Sequence, residues 1–137
     1  MESKEVNKAL LKIIEKRMEL ALIDYANEAY DEIEDQLHDL EDEFLDNFGE
    51  ELEDGITKVH KKLCPSSDVL LPIAYIAKNY YKPDSDAGNV YMPEDEEGVR
   101  VDIKGFEDED TRLVFVPNPV RLLMIINSKT NKEVWKV

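Results

Sequence analysis

Residues 31–54 read DEIEDQLHDLEDEFLDNFGEELED. Thirteen of these residues are Asp or Glu, and none is Lys or Arg. The apolar residues Ile33, Leu37, Leu40, Phe44 and Phe48 recur at steps of three and four, which places them on one face of an α-helix. Ile33-Leu37-Leu40-Phe44 reads as an a/d seam of the kind that packs against another helix. Asp31, Glu32, Glu34, Asp35, Asp39, Glu41, Asp42, Glu43 and Asp46 cover the remainder. Acids three and four apart repel by a few tenths of a kcal/mol per pair (~0.2–0.5). The stretch is therefore an amphipathic helix with a charge that something else must balance or solvent must screen.

Upstream, the same stripe continues through Val6, Leu10, Ile14, Met18, Leu22, Tyr25 and Ala29, and no Gly or Pro occurs between Met1 and Phe48. Ser3, followed by Lys4 and Glu5, is a plausible N-cap. The pattern predicts one helix over about residues 4–48, or two helices that break between Asp24 and Asp31. Downstream, Gly49 and Gly55 interrupt, yet the stripe runs on through Leu52, Ile56, Val59 and Leu63. A helix end near Lys61-Lys62 would put cations where the helix dipole favours them, and Pro65 prevents simple continuation.

Ser66-Ser67-Asp68 predicts the start of a shorter helix over about residues 69–81. After Pro83 the grammar changes to short segments punctuated by Gly and Pro. Val99–Ile103 alternates as a half-buried strand does. Leu113–Val116 and Leu122–Ile126 are continuous apolar runs suited to central strands covered on both faces. A helix capped at Asn118-Pro119 competes for residues 119–126, but the β-branched and aromatic content favours a strand. Residues 127–131 read as a turn, and Glu133–Val137 alternates again. The expected class is α+β: a long helix or helical hairpin plus a shorter helix, then a small antiparallel sheet. At 137 residues, one domain is expected, with a helical half over 1–82 and a mainly β half over 83–137.

Charge is laid out in blocks. The chain carries 32 acids against 17 bases, net −15. Residues 1–30 are nearly neutral, 31–54 carry net −13, 55–82 net +4, 83–110 net −9 and 111–137 net +4. This distribution speaks against direct binding to a nucleic-acid backbone or to an anionic membrane, both of which need a cationic surface. Cys64 is the single cysteine, so no internal disulfide framework is expected. The opening Met1-Glu2-Ser3-Lys4-Glu5 lacks the basic start and apolar core of a signal peptide. The expected location is the cytoplasm, or the interior of a virion or other assembly.

Signatures of catalysis are missing: no phosphate-binding glycine loop, no dinucleotide fingerprint, no Gly-x-Ser-x-Gly and no His-Glu-x-x-His. His60 and Cys64, four apart, could hold half a zinc site, but no second Cys or His pair completes it. His38 follows Glu34 and Asp35 at one helical turn. Di-iron bundles need two such units, so a solvated histidine is the expectation. Asp84, Asp86 and Gly88-Asn89 resemble the opening of a calcium loop, with the glycine one position early and Asp95 at position twelve. Glu50 and Glu53 could hold magnesium, yet no Lys or Arg stands in block 31–54 to receive a phosphate. No cofactor and no metal is expected, and the chain is read as a non-enzyme.

The remaining feature is the acidity. The expected partner-binding residues are Asp31, Glu32, Asp35, Asp39, Asp42, Glu43, Asp46 and Glu50. Glu94, Asp95, Glu96, Glu97, Glu107, Asp108, Glu109 and Asp110 form a second patch. The leading expectation is a non-catalytic assembly component, an adaptor or particle subunit, that docks on a basic partner protein or self-associates. The alternative is a DNA mimic that occupies the cationic groove of a nucleic-acid enzyme, as a phage anti-defence protein would. Third stands an acid-rich metal-dependent hydrolase. A further possibility is neutralisation within the fold or across an oligomer contact by Lys58, Lys61, Lys62, Arg121, Lys129, Lys132 and Lys136.

Overall fold

A computed structural model of the chain describes residues 1–83 and 90–137. The long stripe folds back on itself. Helix α1 spans Ser3–Ala21 and helix α2 spans Tyr30–Leu63. The connection covers residues 22–29, so the first helix ends three residues before the earliest break expected. The amides of Leu22 and Ile23 tighten onto Glu19 and Leu20 carbonyls, and Asn27 restarts the chain by accepting the Ala29 amide on its side chain at 2.9 Å. Folding back has a clear driving force. A single 45-residue helix would hold its apolar stripe in water, whereas the hairpin buries Val6, Leu10, Ile13 and Ile14 of α1 completely. Each such side chain contributes about 1.5–3 kcal/mol when removed from water.

Helix α2 runs through both glycines and ends, as the sequence predicted, with Lys61 and Lys62 in its last turn. Gly55 is there for room. A β-carbon at that position would stand 2.3 Å from Cε2 of Trp135, whose indole lies across the helix. Gly49 is different, since a β-carbon there would meet only Leu45 at 3.5 Å, an ordinary contact.

The segment expected to be a helix over 69–81 is not one. It holds a single 3-10 turn, Pro72–Tyr75, and then the strand β1, Tyr80–Tyr81. Pro72 starts the turn, but Ile76 leaves it in an extended conformation to bridge Phe115 in parallel fashion. Tyr80 is buried and donates its hydroxyl to the Phe115 carbonyl at 2.7 Å. Sheet bonding thus overrides the helical pattern.

Strand β1 pairs with β2, Met92–Pro93. The main sheet has the order β3 (Val99–Arg100), β4 (Thr111–Val116), β5 (Arg121–Ile126) and β6 (Thr130–Lys136), all antiparallel. Strand β3 is shorter than the alternation over 99–103 suggests. The Asp102 amide bonds the Ser67 hydroxyl and the Lys104 amide bonds the Leu63 carbonyl, which draws the chain off the sheet toward the end of α2. The two apolar runs are central strands, with Leu113–Val116 entirely buried and Leu122–Met124 nearly so. Residues 121–126 are strand, not helix. One hydrophobic cluster takes side chains from both halves, from Val6 to Met124. The class is α+β, with a helical hairpin followed by two small antiparallel sheets.

Gly55→Ala should destabilise the fold by about 1–3 kcal/mol through overpacking against Trp135, although alanine is the better helix former by about 1 kcal/mol. Gly49→Ala should stabilise it by about 0.5–1 kcal/mol. Urea denaturation midpoints of the two variants check this, and shifts of the same sign would refute the assignment of Gly55 to the Trp135 contact.

Candidate interaction surface: an acidic ridge on the second helix

The two helices run antiparallel, and this sorts the charges of α2. On the α1 side, Arg17 Nη2 lies 3.0 Å from Glu41 Oε2, with both side chains only 14% exposed. Arg17 Nη1 also donates to the Ile76 and Ala77 carbonyls at 2.8 and 2.9 Å. Lys16 donates to the Gln36 side chain at 3.0 Å. Lys8 and Lys12 share a shallow cleft with Glu43. Near the other end, the α-amino group of Met1 lies 3.2 Å from Glu51.

On the side opposite Leu37, Phe44, Leu52 and Ile56, the exposed acids Glu32, Asp35, Asp39, Asp42, Asp46, Glu50 and Glu53 step by three and four. They form a ridge that extends for about 32 Å at 1.5 Å rise per residue. Asp31 and Glu32 occupy the first turn, where the helix dipole favours negative charge. All eight sequence-predicted acids of this helix are exposed, and among the described residues none of them makes an ion pair within 4.0 Å. The structure brings seven of the eight to the outer side of the helix; Glu43 leans toward α1 and its lysines.

Within the fold, the cations suggested by the block arithmetic form no ion pair with α2 among the described residues. Among the described residues, Lys58, Lys61 and Lys62 make no ion pair, and Arg121 pairs with Glu133 of its own sheet at 3.9 Å. The cations that meet α2 come from α1: Arg17 pairs with Glu41, Lys16 reaches Gln36, and Lys8 and Lys12 lie beside Glu43, the last three recurring every four residues. That spacing is the sequence signal that would have found them.

The second acidic patch is divided. Glu97 accepts the Lys78 and Asn79 amides at 2.5 and 2.9 Å, Glu107 accepts the Gly105 amide at 2.8 Å and Glu109 accepts from the Asn127 side chain. Asp110 is held by Arg112 at 2.9 Å, and that hydrogen bond keeps its carboxyl below the usual carboxylate range. The Gly105 amide does the same for Glu107. Arg112 also donates to the Glu96 carbonyl, so it ties the 94–97 turn to the 107–110 loop. Glu94, Asp95, Glu96 and Asp108 remain exposed, with no side-chain partner among the described residues.

His60 stands in the last turn of α2 and is buried. The Ser67 carbonyl can only accept, so His60 Nδ1 donates to it at 3.0 Å, and Nε2 accepts from the Tyr75 hydroxyl at 2.8 Å. Both ring nitrogens are therefore engaged in packing the end of α2. Cys64 is buried beside it, and burial, with a smaller contribution from the Asp102 charge, pushes its thiol up. His38 is exposed on α2. Asp84, Asp86, Gly88 and Asn89 lie outside the described residues. Among the described residues no group of three or more His, Cys, Asp or Glu side chains converges to hold a metal ion, and no helix is long and apolar enough to cross a membrane.

No family model, no curated protein and no solved structure matches this chain.

Arg17→Lys should destabilise the protein by about 1.5–3 kcal/mol, because one ammonium cannot reach two carbonyls and a carboxylate on separate segments. An unchanged urea midpoint would show that the guanidinium does not join these segments.

Proposed function

We propose that the protein is a non-catalytic interaction protein, an adaptor or particle subunit, that docks the outer ridge of α2 on a basic protein partner. One observation carries this reading. The hairpin neutralises the inward flank of α2 through Arg17 and leaves along its outer side a continuous line of exposed acids that form no ion pair among the described residues. Such a line raises encounter rates with a cationic surface and fixes register once it is bound. Its lack of cations makes it a poor surface for nucleic-acid phosphates or anionic lipid. The exposed acids of the second patch extend the same sign of charge.

A second reading is mimicry of a nucleic-acid backbone, favoured by the linear repetition of the ridge. Duplex DNA carries one charge per about 1.7 Å of axis. The seven ridge acids along about 32 Å of helix are sparser, which is why docking on a protein stands first.

Reversal of Asp39, Asp42 and Asp46 to Lys tests the proposal. Affinity capture from the native source, at low and moderate salt, should lose the partner for this triple variant while far-UV circular dichroism stays unchanged. Retention of the same partner at low salt would refute docking through α2. A recovered nucleic-acid enzyme that duplex DNA displaces would favour mimicry; a stoichiometric set of structural proteins would favour assembly.

A further inference from the structure

A shallow cleft opens between the two helices of the hairpin. Its volume is about 340 Å³, and every residue that lines it belongs to α1 or α2. The floor is apolar: Ala9, Leu40 and Phe48 are half-buried, and Phe48 meets buried Phe44 edge-on with ring centroids 5.7 Å apart. The α1 wall carries Lys8 and Lys12, and the α2 wall carries Glu43. Each wall belongs to a longer row. Lys4, Lys8 and Lys12 recur every four residues, and Asp39, Glu43, Asp46 and Glu50 step by four, three and four. Such steps keep a row on one side of a helix. All seven side chains are exposed, and none forms an ion pair among the described residues.

The two rows stand at matching heights. At one end of the hairpin the Met1 amino group meets Glu51, and toward the other end Lys16 donates to Gln36. Between these contacts the antiparallel helices set Lys4, Lys8 and Lys12 level with about Phe48, Phe44 and Leu40. Each lysine is thus level with a gap between two successive acids of the other row: Asp46 and Glu50 for Lys4, Glu43 and Asp46 for Lys8, Asp39 and Glu43 for Lys12. None of these acids is more than about 4.5 Å away along the helix, at 1.5 Å rise per residue. Glu5, the one acid of α1 at the cleft, is level with the amide of Asn47 on the opposite wall.

We propose that this cleft and its two charged rows are covered by the same surface of a second copy of the chain. A twofold axis that runs along the cleft, parallel to the helices, lays α1 of each copy over α2 of the other. Rotation about such an axis changes no residue's height along it, so each lysine row arrives over the partner's acid row already in register. The contact is made twice and the assembly closes at two. Leu40 and Phe48 of both copies are covered together, with the charged rows as a polar rim. A foreign basic partner answers only the acids, whereas a second copy answers the lysines as well. Each copy carries net −15. Repulsion between distant charges is screened beyond about 8 Å at physiological salt, while opposite charges in contact lie within that distance. Self-association of this kind rests on the docking reading, because it names the basic partner of Asp39, Asp46 and Glu50.

Sedimentation velocity of the full chain over a concentration series, in about 0.15 M salt, tests the proposal with two charge-reversed variants, Lys8→Glu/Lys12→Glu and Asp39→Lys/Asp46→Lys. All four positions are exposed, and far-UV circular dichroism with the thermal midpoint establishes that the variants fold. The wild type should pass from monomer to dimer. Each variant alone sets like charges against each other in both halves of the contact and should weaken dimerisation about tenfold or more. Mixed together, the two variants again present opposite charges, so a heterodimer should form with near wild-type affinity. A wild type that stays monomeric at every concentration would overturn the proposal; a foreign basic protein captured through the ridge would then leave the docking reading standing without it. Variants that dimerise as the wild type does, or a mixture of folded variants that forms no heterodimer, would overturn it too. So would a dimer weakened by the acid variant alone, because the ridge would then meet a basic surface other than the α1 lysines.

Discussion

The guanidinium of Arg17 joins three segments that the sequence supplies far apart. It sits on α1, pairs with Glu41 on α2 and donates to the carbonyls of Ile76 and Ala77 where the chain enters the sheet region. Contacts farther along the two helices add to this bond. Asn7 and Asn118 exchange hydrogen bonds between α1 and the β4–β5 turn at 2.9 and 2.6 Å. Trp135 of β6 lies across Gly55 of α2. The hairpin is thereby fixed on the sheet, and the direction in which each face of α2 points is fixed with it.

That orientation turns a simple excess of acid into a surface with a pattern. A free helix with the sequence of residues 31–54 would repel itself wherever acids stand three or four residues apart, with no cation in the stretch to offset them. In the fold, Glu41 has Arg17, Glu43 lies near Lys8 and Lys12, and Glu51 has the Met1 amino group. The outer ridge has no such relief among the described residues. Its repulsion is tolerated because the opposite face of the same helix buries Leu37, Phe44, Leu52 and Ile56. Hydrophobic packing holds in place a charge distribution that local electrostatics alone would disperse.

Much of this was legible in the sequence, and the exceptions have physical causes. The three- and four-residue steps of the apolar stripe hold over Val6–Met18 and Ile33–Leu63, whereas Leu22, Tyr25 and Ala29 fall in the exposed connection; the cationic helix end at Lys61-Lys62 and the two apolar runs at 113–116 and 122–126 stand. The hairpin was legible only as one of two options, because no Gly or Pro marks residues 22–29. The supposed helix at 69–81 failed because the non-local bonds of Ile76 and Tyr80 to Phe115 decided its conformation. Summing charge by block hid the lysines of α1, since nearly equal numbers of acids and bases cancel there. Half of the second patch was read as free charge, although Glu97, Glu107, Glu109 and Asp110 hold their own loops.

Docking through the ridge of α2, as proposed, requires acids that the rest of the chain leaves uncompensated. The most direct measurement is the urea midpoint as a function of sodium chloride, for the wild type and for a variant with Asp39, Asp42, Asp46 and Glu50 changed to their amides. Screening of unrelieved repulsion within a Debye length, about 10 Å at 0.1 M salt, should raise the wild-type midpoint steadily. The amide variant should start higher and respond less. Equal salt responses in the two proteins would contradict the account, because they would show that the ridge is already balanced inside the fold.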